Sequence, residues 1–367
     1  MDNILFVLNF NNSFEGNFMR SILALSEQIE NDGGKVVYLI PENSRTTDWA
    51  VNLTNCGAKV YDFVDGIPGI IKNIRTIKRI IKEHNISIIH SHFCDHRQHI
   101  PIAFAKAGKN EVDYIVHVHQ NPPKRSSLYE KLAAFVTNAT VYISVSDSIH
   151  STLSIGGKPT VTISNAVDFS RLEFSDTNVK KEDYLSDGCQ KTVLMFGQDF
   201  EEKGVNSVIK ALMEHDKEHK IQLLVAVGEN TDEATKSIRS LCNDIPGWIK
   251  LLPARNDIAT YFNLADVFVL ANKMQGNPYT MIESAYLGVP IVYYNVPGQN
   301  EMCIPWSVKV SPDDSAELYK ALCEIFGEDE EETFAMGIES KEYVVKNYSL
   351  GTWVYEIIDL YKNVHRM

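Results

Sequence analysis

Lys203-Gly204 follows an apolar run, and 72 residues after Lys203 a second polar stretch begins: Gln275-Gly276-Asn277-Pro278-Tyr279-Thr280, with Glu283 behind it. Asn277 is a good N-cap, and Pro278 suits the first helical position, where a missing N–H costs nothing. Met281, Ile282, Ala285 and Tyr286 then form one apolar stripe at helical spacing, which leaves Glu283 on the side of Thr280. Gly288 can take the left-handed position that ends the helix, and Pro290 opens the following strand. The N–H groups of Tyr279 and Thr280 at such a helix start, together with the macrodipole, suit a phosphate. A lysine is a compact point charge for the same group. A carboxylate one turn along accepts hydrogen bonds from hydroxyls. A sugar nucleotide carries both phosphate and hydroxyls. The plainer reading of the stretch is a capped helix in a parallel α/β sheet.

The histidines offer a different chemistry. His90-Ser91-His92 ends an apolar run, Asp95, His96 and His99 follow closely, and His117-Val118-His119 ends the next run. Hydrolases of the metallo-β-lactamase type use H-x-H-x-D-H after a strand. The spacing here is H-x-H-x-x-D-H, one residue longer, and metal geometry tolerates such shifts poorly. No metal site is therefore expected. Period-2 alternation puts His117 and His119 on one face of a strand, where either could equally be a satisfied core histidine.

Composition bounds the rest. The chain has 367 residues, 44% hydrophobic and 23% charged, enough for two cores. Its net charge of −13 is unevenly placed. Residues 1–170 hold 16 Lys+Arg and 16 Asp+Glu, and the remainder holds 19 against 32. That balance excludes a general nucleic-acid role, whereas the neutral half could approach an anionic membrane. The six cysteines (56, 94, 189, 242, 303, 323) are scattered, and read as reduced thiols of a cytosolic protein. Ile4 to Phe10 is a short apolar run without a basic flank, unlike a signal peptide, and no run approaches membrane-spanning length.

The elements that must position these residues alternate between strand and helix. Asn3 to Leu8 reads as a strand, Asn17 to Asp32 as a helix stopped by Gly33-Gly34, and Lys35 to Ile40 as the next strand. Ile67 to Asn85 is an amphipathic helix with Lys72, Arg75, Lys78, Arg79 and Lys82 on its polar face. It reads as a core-packed helix with a solvated basic face, or as a helix lying on a membrane surface. Strands are expected at Ile86–His92, Tyr114–His119, Thr140–Ser146 and Val161–Ile163, and residues 169–190 read as a linker. Further strands follow at Thr192–Phe196, Gln222–Val227 and Trp248–Leu252, with another before Asn272. Glu328 to Glu332 reads as a solvated turn, and Leu350 to Val364 as a closing helix. The alternation implies two Rossmann-like parallel α/β domains. Ligand is expected at the carboxyl ends of the strands, where Gly16, His119, Lys203 and Glu283 all fall.

Taken together the motifs resemble those of retaining GT-B glycosyltransferases of the GT4 type. That family reads E-G-x-x-x-x-x-x-E, then small residues, Gly and Pro-Val-Val; Gln275-Gly276-Asn277-Pro278, Glu283-Ser284-Ala285 and Gly288-Val289-Pro290-Ile291-Val292 fall on it. Its G-R-x-x-x-x-K-G falls on Gly197, Gln198, Lys203 and Gly204, and its I-x-N-G-V-D on Ile163, Asn165, Ala166, Val167 and Asp168. The resemblance implies a GT-B fold, with two domains facing across a cleft. Residues 1–170, rejoined by helix 350–367, would form the acceptor side, and 171–349 the donor side. It implies retaining, metal-independent transfer from a nucleotide sugar, with a UDP-sugar expected and no other cofactor. Lys203 and the Pro278 helix start, with Tyr279 and Thr280, would stabilise the diphosphate; Glu283 would hold the ribose. Gln275 and His119 would contact the sugar, Gly16 would lie in the loop against the donor phosphate, and the base would lie against the Arg255 loop. The acceptor would be a hydroxyl of a saccharide, a lipid-linked saccharide or a protein, in the cytoplasm or at the inner membrane face through helix 67–85. Gln198 and Gln275 stand where the family carries Arg and Glu. They leave open a nucleotide-sugar-binding subunit without turnover. A GT-B epimerase or phosphorylase fits the fold but not the motif spacing.

Overall fold

The computed structural model describes residues 2–12, 15–108, 111–120, 126–197, 199–228, 231–253, 255–274 and 276–366. Gln198 and Gln275 lie outside the described residues. The chain divides into two compact units, Met1–Ala166 with Leu350–Met367, and Val167–Ser349.

The first unit runs β1 (Ile4–Leu8), α1 (Gly16–Asn31), β2 (Val36–Pro41), α2 (Asp48–Asn55), β3 (Lys59–Phe63), α3 (Ile67–His84) and β4 (Ile88–His92). It continues through α4 (His96–Lys106), β5 (Asp113–Val118), α5 (Ser127–Thr137), β6 (Val141–Ser144), α6 (Asp147–Leu153) and β7 (Thr160–Thr162). Its parallel sheet has the order β3-β2-β1-β4-β5-β6-β7. The order reverses at β1, so right-handed crossovers place α1 and α2 on one face and α3 to α6 on the other. Alternation sorts the side chains accordingly. Leu5, Val7 and Leu39 pack with Ile77, Ile80, Ile81 and Ile102 from α3 and α4. Phe6, His90 and His92 point to the opposite face. Ile77, Ile80 and Ile81 of α3 are thus spent on the sheet, while Ile71, Lys72, Arg75, Lys78, Arg79 and Lys82 face water. Helix α3 is therefore packed on the core through Ile77, Ile80 and Ile81 and turns its basic face to solvent.

The second unit runs β8 (Lys191–Phe196), α7 (Val205–His215), β9 (Ile221–Gly228), α8 (Thr231–Cys242), β10 (Ile249–Pro253), α9 (Ala259–Phe262) and β11 (Val267–Leu270). Then come α10 (Tyr279–Tyr286), β12 (Ile291–Tyr294), β13 (Ser307–Val310), α11 (Ser315–Phe326) and α12 (Glu330–Asn347). Its sheet is also parallel, ordered β10-β9-β8-β11-β12-β13, with an apolar core on each face. Two expectations are corrected here. Residues 169–190 are not a free linker: Leu172 enters the core of this unit, and Val179 and Tyr184 pack on it. Residues 328–332 are not a turn. Asp329 caps α12 by accepting from the Glu331 N–H, and acidic residues suit the positive end of a helix. The last helix, α13 (Leu350–Asn363), returns to the first unit and packs on α1. Among the described residues, no helix is long and apolar enough to cross a membrane.

Candidate functional site

In the second unit the phosphate-site candidates stand at the carboxyl ends of β8 and β11. The turn after β8 is built by Asp199, whose carboxylate accepts from the backbone N–H groups of Glu201 (3.1 Å) and Glu202 (2.8 Å). Gly204 closes it in the left-handed region, φ 69°. A Cβ there would stand 2.2 Å from the Ala271 carbonyl oxygen, so only glycine lets this turn touch the end of β11. That contact pins Lys203 to the base of the segment leading into Gly276, Asn277 and α10. The Lys203 ammonium is partly exposed and lies 3.9 Å from the exposed Glu202 carboxylate, at the outer limit of an ion pair. Gly197 is equally constrained, since a Cβ would meet the Val225 side chain at 2.6 Å.

Helix α10 begins one residue later than expected. Pro278 occupies the cap position itself (φ −74°, ψ 121°) and makes no side-chain cap hydrogen bond, and Asn277 is buried. The start at Tyr279 and Thr280 thus keeps the open polarity that favours an anion. Its far end is as expected: Gly288 is left-handed, φ 71°, and the Val289 N–H bonds back to the Ser284 carbonyl.

Glu283 is buried, and its Oε1 accepts from Arg171 Nη1 at 2.9 Å. Arg171 sits in the turn Phe169–Leu172, which Asp168 caps through the Ser170 N–H at 3.1 Å. Sequence reasoning missed this arginine. The signal was its place three residues beyond Asp168, but the partners are 112 positions apart. Nearby, burial and then the Glu283 charge push the Tyr279 hydroxyl well above its usual range. Arg255 is already engaged: Nε bonds Asp257 Oδ1 at 2.8 Å, and Nη2 lies 2.5 Å from Asp257 Oδ2 and 3.4 Å from Asp176 Oδ2. The fork holds Asp257 down to about 2. Arg255 therefore stiffens its loop, with its charge matched by two carboxylates.

In the first unit, Gly16 opens α1 at φ 56° with no atom within 4 Å of where a Cβ would stand. The paired register His92↔His117 puts four imidazoles on one face of β4 and β5. Their ring centres are 4.2 Å apart for His90–His92, 4.9 Å for His92–His117 and 4.3 Å for His117–His119. His90 Nδ1 bonds the Tyr361 hydroxyl at 2.6 Å, and His92 Nδ1 bonds His119 Nε2 at 3.0 Å. Phe93 stacks on His119 at 4.3 Å. Burial is the main cause that pushes His90 and His119 down to about 3, and His92 and His117 well below the usual range; Asn165 opposes it at His119. All four are neutral at pH 7.

The H-x-H-x-x-D-H run does not gather into one site. Asp95 caps α4, accepting from the Arg97 N–H at 2.7 Å, and pairs with the Arg97 guanidinium. His99 turns to the Tyr114 hydroxyl at 2.6 Å. One grouping was not expected: a ligand atom of each of His90, His92 and His117 falls within 4.8 Å of the others. Neutral imidazoles are the metal-binding form. Among the described residues no carboxylate or thiol joins the trio.

Comparison with known proteins agrees with these motifs. The model of glycosyltransferase family 4 matches residues 19–171, and that of glycosyl transferases group 1 matches residues 176–342. An uncharacterized glycosyltransferase of Haemophilus influenzae is 27% identical over 113 residues, 30% of this chain and 32% of that relative's length. The chain thus spans about a third of that curated relative. Among solved structures, a glycosyltransferase from Rickettsia africae superposes with a TM-score of 0.78 at 16% identity, over 99% of this chain and 98% of that one. Anabaena HepE in complex with UDP-glucose superposes with a TM-score of 0.77 at 16% identity, over 99% and 100%. The chain belongs to the group 1 glycosyltransferases of the GT4 type, and its two parallel-sheet units have the GT-B fold.

Proposed function

We propose that the chain moves a sugar from a nucleotide-sugar donor, a UDP-sugar first among them, to a hydroxyl acceptor with retention and without a metal. The observation that carries this is local to the second unit. Gly204 seats the Lys203 turn on the end of β11, and the chain leaving β11 leads to the start of α10 at Pro278, one turn ahead of the buried Glu283. Lys203 and the α10 start stabilise the leaving diphosphate as charge develops on it. Glu283 accepts from the ribose hydroxyls, with Arg171 holding its carboxylate in place. No general base is named, because the leaving phosphate takes the acceptor proton on the same face. The reading gives the sugar to His119 and Gln275. His119 is neutral, and its Nε2 is bonded to His92, which fixes the ring. The solved structures of HepE with UDP and with UDP-glucose support a uridine donor for this fold. The acceptor is a hydroxyl of a saccharide, a lipid-linked saccharide or a protein.

The test is product analysis. An α-configured UDP-sugar should give an α-linked product by proton NMR, at a rate unchanged by EDTA. A β-linked product would refute retention, and loss of rate in EDTA restored by zinc would make the His90–His92–His117 trio a metal centre. Absence of turnover with every donor, alongside tight nucleotide binding, would favour the binding-subunit reading that Gln198 and Gln275 leave open.

A further inference from the structure

The three central strands of the first sheet each lead into an aromatic ring. β1, β4 and β5 are neighbours in the register Leu8↔His92↔His117, and just past their carboxyl ends stand Phe10, Phe93 and His119. Phe93 stacks on His119 with ring centres 4.3 Å apart and 22° between the planes, and Phe10 lies 5.9 Å from Phe93. Phe18 of α1 is buried among them, 4.9 Å from Phe10, 4.8 Å from Phe93 and 5.5 Å from His119. Phe10, Phe93 and His119 themselves remain partly exposed.

Phe93 is the informative member. Its φ of 55° lies in the left-handed region, where a bulky side chain is an outlier and glycine sits without strain. Asn9 holds it there. Its Nδ2 donates to the Phe93 carbonyl at 2.9 Å, and its backbone N–H donates to the His92 carbonyl at 3.1 Å. The loop that carries Asn9 and Phe10 is pinned in turn. Ser44 Oγ donates to the Phe10 carbonyl at 3.0 Å and to Asn11 Oδ1 at 2.7 Å, and Trp49 Nε1 donates to the Asn12 carbonyl at 2.9 Å. Strain that the surroundings over-determine clusters at ligand sites. A turn that needed only its backbone would carry glycine; here the same strain presents a ring.

The groups around the rings select the ligand. Asn9, Asn11 and Asn12 bring amides, His119 is a neutral imidazole, and the Glu15 carboxylate already faces Arg20 Nε at 3.5 Å. The rings and amides carry no charge at pH 7. Partly exposed aromatic faces beside uncharged hydrogen-bonding groups match a pyranose ring. Its C–H bonds gather on its flat faces, and its hydroxyls project from the edge.

We propose that Phe10 and Phe93 form a stacking platform for the acceptor, and that the group they hold is an uncharged sugar ring. The inference rests on the transfer reading, in which His119 touches the donor sugar. The ring stacked on His119 then stands beside the transferred group, where an acceptor has to be. The acceptor narrows from any hydroxyl to the sugar end of a saccharide.

The experiment is saturation-transfer NMR of the purified chain with lactose, cellobiose and diacetylchitobiose at millimolar concentration. Saturation is expected on the ring C–H protons of at least one disaccharide. Phe93→Leu keeps apolar bulk and Phe93→Gly keeps the left-handed turn, but both remove the aromatic face. Each should weaken that binding about tenfold, whereas Phe93→Trp should keep it. The dissociation constant for UDP, read by calorimetry on the same variants, should stay at the wild-type value. Wild-type protein that gives no saturation with any of the three disaccharides would overturn the proposal. So would signals that survive both Phe93→Leu and Phe93→Gly, or a serine peptide or octyl chain that is saturated in place of the disaccharides. Failure of the wild type to bind UDP is a separate result: it removes the donor reading, and the disaccharide signals still decide the platform.

Discussion

The two strand-end edges of this molecule handle polarity in opposite ways. In the first unit, four imidazoles stack beneath α1 and α13, all kept neutral by burial. In the second unit, the candidate groups carry charge: Lys203 is partly exposed on its turn, and Glu283 is buried but matched by Arg171. Neutral groups can be packed deeply because desolvation costs them little. Charged ones need a partner or water. The contrast is the reason the proposed function gives the anionic part of the donor to the second unit.

The largest expected effect breaks the charged side. Lys203→Ala should lower kcat on the order of 100-fold or more, because no second cation of the family pattern stands at Gln198. The melting temperature should hold, since among the described residues the ammonium makes only a distant ion pair. Steady-state kinetics with a saturating donor checks it, and a near wild-type kcat would remove Lys203 from the site.

Glu283→Gln comes next. It leaves the Arg171 guanidinium without its carboxylate, at a cost of about 3 kcal/mol in stability. It should also weaken bare nucleotide binding about tenfold, because a charge-assisted hydrogen bond becomes a neutral one. Calorimetry and urea denaturation read the two losses separately. A stability loss with an unchanged dissociation constant would make the Arg171–Glu283 pair purely structural.

The smallest effect sharpens the neutral side. The folded values of His90 and His119, about 3, lie below the unfolded value near 6.5. The unfolded chain therefore binds more protons below pH 6.5. The histidines' stabilising contribution is complete above 6.5 and falls as pH drops toward 3. The slope is on the order of 1 kcal/mol per pH unit for each histidine. The first unit should melt lower at pH 5 than at pH 7.5. Trp49 and Trp353, both buried there, report it by fluorescence in a variant lacking Trp248 and Trp306. An unchanged melt would mean the imidazoles are not neutral in the fold.

Much of this was legible in the sequence, for physical reasons. Parallel strands buried on both faces announce themselves as apolar runs, and Gly288 stops its helix because a left-handed turn admits little else. His117 and His119 share a face by alternation alone. Arg171 was hidden because a salt bridge across 112 positions leaves no periodic trace. The register that brings His92 opposite His117 was hidden for the same reason, since pairing belongs to two strands and not to either. The cap at Asn277 was misread because a proline can serve as the cap itself.

The central claim is that a nucleotide diphosphate binds at the Lys203 turn and the start of α10. Amide hydrogen exchange with and without UDP tests it most directly. The account predicts slowed exchange in the peptides carrying Lys203 to Val205 and Tyr279 to Ile282, with the β4 peptide unchanged. Protection confined to the first unit, or none at either segment under saturating UDP, would contradict it.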